Sequence, residues 1–133
     1  MRDRRRALRA VNVPSADELA MASLADRPCV PCRGGIPPLT PAETAPLLAQ
    51  LDGWTIVDGH HLAKTYRLAN FVRALDLVNR IGAIAEEQNH HPDLALAWGR
   101  VGVTIWTHKI NGLTESDFFF AAKCDQAFAR MAA

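Results

Sequence analysis

The sequence predicts an α+β domain: one four-stranded antiparallel sheet with helices on one face, in the order α-β-β-α-β-β-α. Three observations lead there. Two stretches, 54–68 and 94–107, each hold a pair of β-type runs broken by a glycine turn, at Asp58-Gly59 and at Gly99-Arg100. Between them, residues 71–88 carry an apolar 3.6-residue period. Capping residues stand at the helix starts: Thr40, Asn70 and Thr114. Two hairpins joined by a helix fit a single antiparallel sheet, with the helices gathered on one side.

The elements follow in order. Thr40-Pro41-Ala42-Glu43 is a helix start: an N-cap, a proline at the first helical position and a capping-box glutamate. That helix should run to about Leu51, with Leu47, Leu48 and Leu51 inward. Pro46 has no donor for a bond to Ala42 and should distort the first turn or delay the start. Asp52-Gly53 ends the element. Trp54 to Val57 and His60 to Leu68 form the first hairpin, with Leu62, Lys64, Tyr66 and Leu68 on one face. Asn70 caps a helix from Phe71 to about Gln88. Its expected stripe is Phe71, Leu75, Val78 and Ala85, widened by Val72, Ile81 and Ile84. Pro92 stops any continuation and pushes His91 into extended backbone. Leu94 to Trp98 and Val101 to Thr107 form the second hairpin. Thr114 caps the last helix, with Asp117 in its first turn, where the dipole favours a carboxylate. Phe118, Ala121, Ala122, Cys124 and Phe128 face inward.

Composition bounds the function. The length of 133 residues fits one domain, and 49% hydrophobic residues supply a core. No apolar run approaches the ~18 residues of a membrane span, and no secretory signal is evident. The expected location is the cytoplasm. Net charge is +1, but five arginines (Arg2, Arg4, Arg5, Arg6 and Arg9) sit in residues 1–20, and the remainder holds ten basic and eleven acidic residues. The folded part is therefore not expected to bind nucleic acid. Residues 1–39, rich in Pro, Gly and Arg, are read as a flexible N-terminal extension, with residues 40–133 as the domain. Met21 is an alternative start. Three cysteines, Cys29, Cys32 and Cys124, argue against a disulfide framework. Cys29-Val-Pro-Cys32 is open to three readings. It can be incidental, half of a zinc site completed by His60, His61 or a second subunit, or a redox pair, although the strand-to-helix context of a redox fold is missing. Cys124 is expected to be a core thiol.

The chemistry concentrates in Glu86-Glu87-Gln88-Asn89-His90-His91-Pro92 and in His108. Histidine exchanges protons near neutral pH, and three of the five histidines lie within residues 90–108. Glu86 and His90 are at i and i+4, so a helix reaching that far would put them on one face, the carboxylate orienting the imidazole. His108 arrives at the end of the fourth strand. Three histidines could also bind zinc, but His90 and His91 are adjacent, which suits joint coordination poorly.

Glu86-(three residues)-His90-His91-Pro92, then Trp98, then Thr107-His108 and Gly112-Leu113-Thr114-Glu115-Ser116-Asp117, together with Gly53-Trp54, resemble the signature of the pterin-4a-carbinolamine dehydratases over about residues 40–130. The Cys-Val-Pro-Cys-x-Gly-Gly head is similar to that of bacterial members. Asn89 stands where some members carry aspartate, and Trp98 where others have tyrosine. The resemblance implies dehydration of 4a-hydroxytetrahydropterin to quinonoid dihydropterin, in the regeneration of the pterin used by aromatic amino-acid hydroxylases. It implies no metal and no organic cofactor. His90 and His108 would be the acid–base pair, with Glu86 orienting His90. His91, Pro92, Trp98 and Thr107 would bind substrate or shape its pocket. The uncovered sheet face suggests a homodimer or homotetramer. Some family members also serve as dimerisation partners of a transcription factor, so an interaction module is the alternative function.

Overall fold

The computed structural model describes residues 24–30 and 34–132. The arginine-rich head, Met21 and Cys32 lie outside the described residues. The element order is α1 (Pro41–Leu48), β1 (Thr55–Val57), β2 (His61–Arg67), α2 (Phe71–Gln88), β3 (Asp93–Ala97), β4 (Arg100–Ile105), a 3₁₀ turn (His108–Ile110) and α3 (Glu115–Ala132). The four strands form one antiparallel sheet in the order β1-β2-β4-β3. The expected α+β architecture is the one found.

Local chemistry explains each boundary. Thr40 and Glu43 make both halves of the capping box at the start of α1. Pro46 sits inside that helix, which starts on time and ends at Leu48, earlier than expected. Asp58 and Gly59 both take positive φ, as the tight β1–β2 turn requires. The Asn70 side chain accepts the Arg73 N–H at the start of α2.

Register sorts the sheet faces. Leu62 pairs with Ile105, Lys64 with Val103 and Tyr66 with Val101. This face is covered by helices and holds the core, with Leu77 and Ile81 of α2 and Phe118, Phe120 and Cys124 of α3. The opposite face, where Ala63 meets Thr104 and Thr65 meets Gly102, carries small and polar residues. Asp125 of α3 accepts from Trp54 Nε1, Lys64 Nζ and the Tyr66 hydroxyl, which ties the last helix to the β1–β2 hairpin. Burial, with Cys124 and Asp125 nearby, pushes the Tyr66 phenol above its usual range, so it stays a donor.

Two expectations change. The buried stripe of α2 is Ala74, Leu77, Ile81 and Ala85, whereas Phe71, Val72 and Leu75 are 43%, 72% and 40% exposed. Small Ala74 and Ala85 let α2 lie close to its neighbours, and the larger residues fall one helical step away. The packed unit also begins before residue 40. Leu24 and Cys29 belong to the core, and Leu39 donates its N–H to the Leu113 carbonyl. Residues 116–122 of α3 are consequently buried without interruption. One side meets the sheet. The other is covered by residues 24–30, with the Arg27 guanidinium over the Phe119 ring and Lys123 Nζ on the Ala25 carbonyl.

Candidate active site

The site forms where α2 ends, β4 ends and α3 begins. Asn89 caps α2 in the left-handed conformation, φ 53°, and its N–H returns to the Ala85 carbonyl. Asparagine tolerates this backbone better than most residues. The helix therefore ends at Gln88, two residues before His90. His90 turns inward and its Nε2 lies 2.7 Å from Asp117 Oδ1. His91 turns outward, and its Nε2 lies 2.7 Å from Glu86 Oε2.

This corrects the expected pairing. Glu86 meets His91 rather than His90, because the cap removes His90 from the helical register on which the i,i+4 argument stood. The Glu86–His91 pair is open to water, with side chains 80% and 53% exposed, so it orients the ring and adds little stability.

Asp117 is the centre of the arrangement and is fully buried. Besides His90, it receives the Thr107 hydroxyl at 2.9 Å and the Thr114 N–H at 2.8 Å, both on Oδ2. It fills the helix-start role expected of it and, in addition, holds a histidine. The Thr114 hydroxyl lies 3.0 Å from Thr107 Oγ1 and supplies the donor that this oxygen can still accept. Thr107 is thus a buried structural link, and its backbone pairs with Gly112 to close the loop that carries His108.

His108 opens the 3₁₀ turn and lies against the Trp106 ring, centroids 4.3 Å apart. Asn111 ends that turn in the left-handed region, φ 53°, and its Oδ1 lies 2.7 Å from His60 Nε2. The His60 and His61 rings also lie near Trp106, with centroids 5.4 and 6.0 Å away.

Asn89, His90, His91, Trp106, Thr107, His108 and Lys109 line one open cleft of about 270 Å³. The structure therefore brings together His90, His91, Thr107 and His108, with Glu86 at the margin. Trp98 is not among these lining residues. It stands 71% exposed in the β3–β4 turn, at the far end of the hairpin from the cleft. Pro92 leads from His91 into β3. Trp106 was not singled out in the sequence. Its position two residues before His108, just past the end of β4, is the available signal. Among the described residues no group of three or more metal-ligating side chains converges.

Besides His91, which is paired with exposed Glu86, the cleft offers two imidazoles in different environments. One is tied to a buried carboxylate and the other is exposed on an indole. A histidine that donates Nε2–H to a carboxylate keeps Nδ1 free to accept a proton.

The family model described as pterin 4 alpha carbinolamine dehydratase matches residues 37–127. A provisionally named pterin-4-alpha-carbinolamine dehydratase of Rubrobacter xylanophilus is 58% identical over 106 residues, covering 80% of this chain and 99% of that protein. A protein of the same provisional name from Rickettsia canadensis is 52% identical, covering 79% of this chain and 97% of its own length. The crystal structure titled transcriptional coactivator/pterin dehydratase from Brucella melitensis aligns with TM-score 0.65 and 35% identity, over 68% of this chain and 97% of that one. On these matches, which span most of the described chain and all of the cleft, the chain belongs to the pterin 4 alpha carbinolamine dehydratase family.

Proposed function

We propose that this chain dehydrates a 4a-hydroxytetrahydropterin to the quinonoid dihydropterin, with His90 and His108 as its acid–base pair. The observation that carries the reading is the convergence of His90, held by buried Asp117, and His108, packed against Trp106 with tilted rings, on one cleft. Elimination breaks the C4a–O bond and the N5–H bond. His90 accepts the N5 proton at Nδ1, and the His90–Asp117 pair stabilises the imidazolium. His108 delivers a proton to the departing hydroxyl, which leaves as water. Positioned groups of this kind contribute ~10²–10⁴-fold. His91, oriented by Glu86, contacts the ring edge, and Trp106 supplies a flat wall for a flat heterocycle. The cleft is near the low end of the ~300–1,000 Å³ usual for small-molecule sites, which suits a bicyclic ring. The reaction places the protein after an aromatic amino-acid hydroxylase, the class of enzyme that generates the carbinolamine.

The test is a dehydratase assay with carbinolamine generated in situ. Wild type should exceed the uncatalysed rate, and equality with background contradicts the reading.

A second reading, an interaction module, draws support from the coactivator title of the Brucella melitensis protein and from the apolar patch of Phe71, Val72 and Leu75. That patch also favours a homodimer or homotetramer. Val72→Asp should dissociate the assembly in light scattering. An unchanged mass would remove this face from the interface.

A further inference from the structure

Residues 24–30 do more than cover α3. The backbone N–H of Cys29 donates to Gln88 Oε1 at 2.9 Å, and that of Val30 donates to Ser116 Oγ at 2.8 Å. Ser116 Oγ returns a longer bond to the Val30 carbonyl, 3.4 Å, and the Cys29 thiol faces the Ser116 carbonyl at 3.6 Å. Gln88 is the last residue of α2, two before His90, and Ser116 immediately precedes Asp117. The contacts therefore close a ring: Cys29 and Val30, Gln88 and its chain to His90, the His90–Asp117 bond, then Ser116 and back.

We propose that Cys29, Val30, Gln88 and Ser116 form a positioning clamp that sets the His90–Asp117 pair. Two consecutive backbone donors hold two different helix ends, so the pitch of the extended segment fixes the separation of those ends. Asp117 cannot shift along α3 without breaking the Ser116–Val30 pair. His90 cannot drift without stretching the Cys29–Gln88 bond.

Burial pushes the Cys29 thiol up to about 11, against a smaller opposing pull from Lys123 and with some support from Asp117. At neutral pH the sulfur is a protonated donor rather than a reactive thiolate. This gives the first cysteine of the Cys29-Val-Pro-Cys32 motif a role that needs neither metal nor redox chemistry.

The kinetic half of the proposal rests on the dehydratase reading. The geometric half does not, and the test separates them. Full-length Gln88→Ala, Ser116→Ala and Ser116→Thr would be compared with wild type by ¹⁵N imidazole NMR of His90, by kcat and KM, and by circular dichroism. In wild type the His90 Nε2–H should be seen as one hydrogen-bonded tautomer. In Ser116→Ala and Gln88→Ala the His90 nitrogen signals should move toward a tautomer mixture. Turnover should fall ~10-fold with KM within twofold, since small misplacements at a site act on kcat. Ser116→Thr, which keeps the hydroxyl, should recover most of both. Gln88 is half-exposed at a helix end, so its variant keeps the question open if Ser116→Ala unfolds. A clamp that merely stabilises the fold would lower the melting temperature and leave the His90 spectrum as in wild type. That result overturns the proposal even if the protein proves to have no dehydratase activity.

Discussion

Asp117→Asn is the perturbation with the sharpest expected signature. The wild-type carboxylate takes three donors: His90 Nε2, the Thr107 hydroxyl and the Thr114 N–H. An amide has one accepting oxygen and one donating nitrogen. If the oxygen serves Thr107 and Thr114, the amide nitrogen faces His90 and forces Nε2 to become an acceptor. The proton then moves to Nδ1, the atom that must be bare to act as a base. If the amide turns the other way, two donors in a buried site face a third. Either arrangement loses a charge-assisted bond worth roughly 1.5–3 kcal/mol. For a domain of this size that lowers the melting temperature by about 5–15 °C, at ~3–5 °C per kcal/mol. The rate effect should be larger than that loss implies, because the wrong tautomer removes the base outright. Turnover should fall ~10²–10⁴-fold, the range associated with general bases and with misoriented triad histidines. Thermal unfolding, steady-state rates and His90 imidazole NMR measure the three parts on one sample. Wild-type turnover with a wild-type tautomer would refute the reasoning.

The remaining predictions concern the frame around the site. At Gly112 an added Cβ would lie 2.6 Å from the Pro38 side chain. Gly112→Ala should therefore displace either the segment before α1 or the His108 loop, with a loss of ~1–3 kcal/mol in denaturant unfolding. Stability equal to wild type would show that this approach is soft. Alkaline pH supplies another check. Cys29 has its folded pKa raised from 9.0 to about 11, so its contribution is complete below pH 9 and disappears as pH rises through 11. Cys29→Ser, which cannot titrate there, should lose roughly 1–3 kcal/mol less than wild type between pH 8 and pH 11. Parallel pH curves for the two proteins would mean that the thiol is solvated.

Much of the fold was legible because its signals are local. The Thr40–Glu43 box, the Asp58-Gly59 turn and the Asn70 cap depend on a few neighbouring residues, and each appears as read. Strand alternation puts Leu62 and Tyr66 on one face, and that face is the buried one. The histidine cluster was legible for the same reason, as a dense run of proton-exchanging side chains.

What was not legible depends on contacts distant in sequence. The partner of His90 lies 27 residues away, and nothing near His90 announces Asp117. Glu86 misled because its i,i+4 spacing to His90 holds only if the helix continues past Gln88, whereas the left-handed cap at Asn89 redirects the chain. The apolar period marks Phe71 and Leu75 as core, because hydrophobicity alone cannot tell a buried stripe from an exposed one on the same helix. The segment before residue 40 has no period. It is held by backbone donors to Gln88, Ser116 and Leu113, a kind of bond that side-chain patterns do not reveal.

The central claim is that His90 and His108 are the two proton carriers of one dehydration. The direct measurement is single-turnover decay of freshly generated carbinolamine with His90→Ala, His108→Ala and the double variant, each shown to be folded by circular dichroism. Each single change should lower the rate above background by ~10²-fold. The double change should cost less than the product of the two, since both groups serve one elimination. Near wild-type decay with both single variants would contradict the account.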